Sequence, residues 1–126
     1  MTLCREERLR GKRVFANLFD NGHSFFQAPY KVCWIKVAEE SLYPSRFTVS
    51  VSKRCFKRAV KRNLLKRRTR AIFRANKHIL NNAISDGKQV HLIAIYQSDK
   101  VLPSSDLEDA MKKILQHIAQ KYDEPV

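Results

Sequence analysis

Hydrophobic and polar positions change period several times along this chain, and each change marks an element. In "GKRVFANLFDNG", Val14, Phe15, Leu18 and Phe19 fall at i, i+1, i+4 and i+5, the spacing of a short amphipathic helix. Gly22 is placed to stop that helix in the left-handed conformation. From Tyr30 to Val37 the period drops to two. Tyr30, Val32 and Trp34 point one way and Lys31, Cys33 and Ile35 the other, predicting a strand that Pro29 would start. "EESLYPS" reads as a loop. "RFTVSVS" then alternates Phe47, Val49 and Val51 against Thr48, Ser50 and Ser52.

The spacing of Lys53 to Arg74 is helical. Arg58, Arg62, Lys66, Arg70 and Arg74 recur every fourth residue and climb one side. Val60, Leu64, Ala71 and Ala75 cluster opposite, with Leu65 and Ile72 at their margin, and predict the packed face. "SDG" at 85–87 reads as a turn. "QVHLIAIYQ" is a nearly continuous apolar run, as in a central strand buried on both faces. Ser105 and Glu108 suit a capping box, and Leu107, Met111, Ile114, Leu115, Ile118 and Tyr122 predict the buried stripe of a last helix. Helix, strands, basic helix, strand and helix make an α+β or α/β arrangement, one sheet with helices packed on it, in one domain over residues 1–126.

Charge adds a direction to that outline. The 25 Lys and Arg outweigh 12 acids for a net charge of +13, which points to a polyanion. The cations are also polarised. Between Ser41 and Ser85 there are thirteen Lys and Arg and no acid, and eleven of them lie in Lys53 to Arg74. Like charges at i, i+4 oppose a helix by a few tenths of a kcal/mol per pair. A chain that tolerates this has a use for the stripe, and phosphate binding suits an Arg-rich one. An anionic membrane fits less well, because the apolar side of the helix is needed by the sheet. No apolar run approaches the roughly 20 residues of a membrane span, and the start of the chain lacks a signal-peptide core.

Catalytic constellations are missing from the sequence. The acids cluster as Glu39–Glu40, Asp106/Glu108/Asp109 and Asp123–Glu124, in loop-like or helix-terminal places suited to solubility and capping. His23, His78, His91 and His117 show no i, i+4 pair, and His91 in its apolar strand reads as a hydrogen-bonded imidazole. Cys4, Cys33 and Cys55 form neither a C-x-x-C pair nor a disulfide framework, so a reducing cytoplasm is expected. Cys55 among Lys53, Arg54, Lys57 and Arg58 reads as a small semi-buried side chain rather than a reactive thiol. No metal site is expected. The aromatics Phe15, Phe19, Tyr30 and Trp34 fit either core packing or an open cleft on which single-stranded bases stack.

The stretch "SVSKRCFKRAVKRNLLKRRTR" resembles the signature of the bacterial ribonuclease P protein component, S-V-S-K-K followed by R-A-x-x-R-N-R-x-K-R-x-x-R. Ser50, Val51, Ser52, Lys53, Arg58, Ala59, Arg62, Asn63, Lys66, Arg67 and Arg70 match, and Leu64 stands where the triplet's second Arg would be. "RLRGKRVFANLFDNG" is similar to the family's N-terminal pattern at Arg8, Leu9, Phe15, Phe19 and Gly22. The resemblance implies a compact α+β sandwich of order αβββαβα, with one more short strand around Ser24 to Phe26 and a left-handed βαβ crossover.

It further implies a protein subunit of ribonuclease P, the endoribonuclease that removes the 5′ leader of precursor tRNA. The chemistry would belong to the RNA subunit and to Mg2+ held mainly by that RNA and the substrate. The RNA subunit would dock on Lys53, Arg54, Lys57, Arg58, Lys61, Arg62, Asn63, Lys66, Arg67, Arg70 and Arg74. The leader would lie in a cleft with Phe15, Phe19, Tyr30, Trp34, Ser50 and Ser52. The partners would be ribonuclease P RNA and precursor tRNA, with no membrane and no obligate protein partner. A ribosome-associated RNA-binding protein and a DNA-binding protein are the alternatives. The latter is disfavoured because no dimerisation heptads follow the basic helix.

Overall fold

The structure is a computed structural model that describes Leu9 and residues 11–38, 44–84 and 88–122. The expected turn at 85–87, the loop acids Glu39 and Glu40, Cys4, and Asp123–Glu124 lie outside these residues. Eight elements follow one another: α1 (Lys12–Asn21), β1 (His23–Gln27), β2 (Tyr30–Val37), β3 (Ser45–Val51), α2 (Ala59–Asn76), α3 (His78–Asn81), β4 (Gln89–Tyr96) and α4 (Ser104–Tyr122). The sheet order is β1-β2-β4-β3. β1 pairs antiparallel with β2 and β2 with β4, while β3 and β4 are parallel neighbours joined through α2 and α3. The short strand that the resemblance implied is β1, and β4 lies in the interior of the sheet as its unbroken apolar run predicts. The single turn α3 has no counterpart among the elements expected from sequence.

Alternation sorts the sheet into two faces. Val32, Trp34, Phe47, Val49, Val51, Leu92, Ala94 and Tyr96 form the main core with α2 and α4. All six residues of the expected α4 stripe are buried, joined by Ala110. On the opposite face, Leu18 of α1 and Leu9 form a smaller cluster with Cys33 and Ile93. Inside the main core the rings of Phe47 and Phe73 stack at 4.2 Å, with 5° between their planes.

Several local expectations are corrected. α2 starts only at Ala59, because Phe56 is buried against the Tyr96 ring and turns the preceding chain back. Ser52 O closes that turn by accepting the amides of Cys55 and Phe56. The packed face of α2 is Leu65, Thr69, Ile72, Phe73 and Asn76, whereas Val60 is 78% exposed and Ala71 and Ala75 face solvent. Two polar residues disguised this stripe. Thr69 Oγ1 meets the Tyr30 hydroxyl at 2.7 Å, and Asn76 Nδ2 donates to Ile72 O at 2.8 Å, so each enters the core already satisfied.

Ser105 is not an N-cap, since α4 begins at Ser104 and Pro103 O receives the amides of Asp106 and Leu107. Glu108 pairs instead with Lys112 at 3.3 Å. Pro29 sits in the β1–β2 turn after a cis peptide rather than in β2. Gly22 is extended, with φ −81° and ψ 173°, so handedness does not select it. Space does: a Cβ there would lie 2.3 Å from Leu18 O and 2.8 Å from Trp34 O. The end of α1 is thereby pressed directly against the backbone of β2.

Candidate nucleic-acid interface

Two surfaces carry the residues singled out by sequence. The first is basic. Lys53, Arg54, Lys57 and Arg58 occupy the exposed segment ahead of α2 rather than the helix itself, and Ser52 Oγ accepts the Arg54 amide at 3.0 Å to shape it. On α2, Lys61, Asn63 and Arg67 are exposed, and Lys66, Arg70 and Arg74 are half-buried along the flank of the packed face. The four-residue recurrence drifts by about 40° per step in a 3.6-residue helix. The cations therefore wind from beside the core toward solvent instead of forming a straight row.

Arg62 stands apart from them. Its Nη1 donates to Phe56 O at 2.6 Å and to Lys57 O at 2.8 Å, which ties the basic segment onto the first turn of the helix. Nε and Nη2 keep three N–H donors for a phosphate. Arg62→Ala should therefore act twice. It should weaken RNA binding, and it should speed tryptic cleavage within 53–58 while lowering stability by about 1–2 kcal/mol. Arg62→Lys, with a single-point ammonium, should recover little of the cleavage resistance. Unchanged cleavage rates in both variants would show the segment to be held by Phe56 alone.

The second surface is the sheet face beneath α1. Phe15 packs on the Leu18–Cys33–Ile93 cluster and stacks on Phe19, with 6.5 Å between ring centres, and Phe19 is 53% exposed. Ser50 shares this face by alternation and register, opposite Ile95 of β4. Ser52 lies just past β3, where the face runs into the basic segment.

Tyr30 and Trp34 do not belong here. Both are buried on the other face, in the core with α2 and α4, because they alternate with Cys33. Burial pushes the Tyr30 phenol up to about 12, against a smaller lowering by Thr69, so it remains a neutral hydrogen-bonding group. Cys33, which does share the α1 face, lies under the helix, and burial raises its thiol pKa against a smaller lowering by Lys31. His91 is buried with Nε2 2.8 Å from Gln89 Oε1, and Cys55 is half-buried against the main core.

Sequence reasoning set Lys31 beside Cys33 and Thr48 beside Ser50 on their strand faces, but counted neither of them, nor Phe26 or Ile95, toward the cleft. The signal for them was the period-two alternation, which becomes informative only once register places the strands side by side. Among the described residues no three His, Cys, Asp or Glu converge as metal ligands, and no helix is long and apolar enough to cross a membrane.

The sequence model of the family described as Ribonuclease P matches residues 3–119. The ribonuclease P protein component of Porphyromonas gingivalis strain W83 is 34% identical over 119 residues, covering 93% of this chain and 86% of its own. That of Synechococcus elongatus is 39% identical over 72 residues, 56% of this chain and 59% of its own. Among solved structures, the ribonuclease P protein of Thermotoga maritima superposes with a TM-score of 0.68 at 26% identity, over 89% of this chain and 97% of that one. The Staphylococcus aureus protein shares the fold with a TM-score of 0.64 at 23% identity, over 88% and 94%.

Proposed function

The chain belongs to the bacterial ribonuclease P protein family, and from that premise we propose that its two surfaces divide the work: the basic segment and α2 grip the RNA subunit, and the α1 face holds the 5′ leader of precursor tRNA. As the protein subunit of an endoribonuclease whose catalysis is by RNA, it associates with ribonuclease P RNA and takes part in tRNA processing. The observation that carries the division is the half-exposed Phe15–Phe19 stack, on a sheet face that leads through Ser50 and Ser52 into Lys53 and Arg54. Exposed aromatics give unpaired bases a stacking surface without base-specific hydrogen bonds, and the adjoining cations track the phosphates.

Bringing a precursor tRNA to a large RNA opposes two polyanions. Magnesium held by the RNA and substrate screens that repulsion and serves the chemistry. A +13 subunit lowers the amount of magnesium required. The site of action is the cytoplasm, with no membrane and no further protein needed. Cleavage of precursor tRNA by a bacterial ribonuclease P RNA, at magnesium too low for the RNA alone, tests the reading. Product with a mature 5′ end should form only when this chain is added. If the chain bound the RNA and left cleavage unchanged, it would be a general RNA grip, as a ribosome-associated protein would be.

A further inference from the structure

Phe26 is 59% exposed on β1, an edge strand. An isolated apolar residue at a surface needs no explanation, but Phe26 is not isolated. Register sets it opposite Lys31, Lys31 opposite Ile95, and Ile95 opposite Ser50, so one row crosses the whole sheet on the α1 face. Ile95 packs on the same small cluster as Phe15. The row is therefore continuous with the α1 aromatics on one side and with the basic segment after β3 on the other. Its electrostatics are one-signed: Lys31 is exposed, and none of the four strands contains an acid. The neighbouring residue holds β1 in place, since Phe25 points to the opposite face and its ring lies 4.1 Å from that of His117.

Resting on the leader reading above, we infer that Phe26 and Lys31 form an outer subsite for the leader: the ring stacks on a base, and the ammonium meets the adjoining phosphate. The occupant is single-stranded RNA. A flat exposed ring beside a lysine, on strands that carry no acid, suits a base and its phosphate. Polarity follows from topology. Catalysis by RNA keeps the cleavage point with the RNA subunit, on the α2 side, and β1 is the strand farthest from β3 and its basic segment. The leader reaches Phe26 last, with nucleotides well upstream of the cut. Three strand spacings span roughly 14 Å, about four bases at stacked spacing.

The test uses holoenzyme reconstituted from the full chain and ribonuclease P RNA, with precursor tRNAs carrying leaders of about two or about ten nucleotides, lengths that bracket that span. Phe26→Ala should weaken binding of the long-leader substrate about five- to tenfold and leave the short-leader substrate unaffected. Phe26→Tyr should bind both as the unmodified chain does. Lys31→Ala should lower the log–log salt slope for the long leader alone by about 0.7. Phe19→Ala serves as the control for the inner cleft. If it weakens the long-leader substrate and Phe26→Ala does not, the outer subsite is refuted and the cleft stands. If neither acts, the leader reading itself falls. An equal loss at both leader lengths for Phe26→Ala would also overturn the subsite, marking β1 as a contact for something other than the leader.

Discussion

Replacing Lys66, Arg67 and Arg70 together by Ala should weaken binding of the ribonuclease P RNA roughly 100-fold near physiological salt, at about 1 kcal/mol for each phosphate that goes without its cation. The same variant should bind with a log–log salt slope shallower by about 2 to 3, because fewer condensed counterions are released. These three side chains project from the helix flank and its outward side, and none makes the carbonyl contacts that occupy Arg62. Their removal should therefore cost affinity without unfolding the chain. Removing like charges from one helix and adding a strong helix former should even raise the melting temperature slightly. Salt-dependent RNA binding beside a thermal melt separates the two effects. An unchanged slope would show that these residues meet no phosphate.

The largest effect on stability is expected at Phe73. Phe73→Ala removes a fully buried ring that stacks on Phe47 and joins α2 to the sheet, a change that costs about 3–5 kcal/mol. Domains of this kind are stable by only about 5–15 kcal/mol, so about a fifth of the margin or more would go. Denaturant unfolding should show a lower midpoint with an unchanged slope. RNA binding is linked to folding, so saturating ribonuclease P RNA should restore part of the stability, by about 2.7 kcal/mol at a hundredfold excess over Kd. A destabilisation below about 1 kcal/mol would mean that α2 is held by its other contacts.

These two predictions touch the flank and the packed side of one helix, and its sides were the part of the fold hardest to assign from sequence. The strands were legible because period two is unambiguous: Tyr30 to Val37, Phe47 to Val51 and the run of β4 all fall where alternation or unbroken apolarity puts them. The α4 stripe was legible for the same reason at period 3.6. On α2 the apolar pattern misled, because Val60, Leu64, Ala71 and Ala75 share a side that is not the one that packs. The buried face is chosen by bulk and by partners lying far away in sequence. Phe73 needs Phe47, and Thr69 needs Tyr30. Tyr30 and Trp34 show the converse. Their aromatic character suited a cleft, but alternation with Cys33 commits them to the core. The motif residues mark the basic surface well, yet no spacing rule foretells that Arg62 turns back to its own loop.

The outward line of α2 has its own meaning for assembly. Val60, Ala71 and Ala75 keep the exposed side low toward the two ends of the helix, Arg67 rises between them, and other long basic side chains lie along the flanks. Where those side chains are short the cylinder is about 5 Å in radius, which would let a phosphate backbone come close to the helix there. A bulky residue at Ala71 or Ala75 would act as a spacer, lifting every flanking cation from its phosphate without removing one charge.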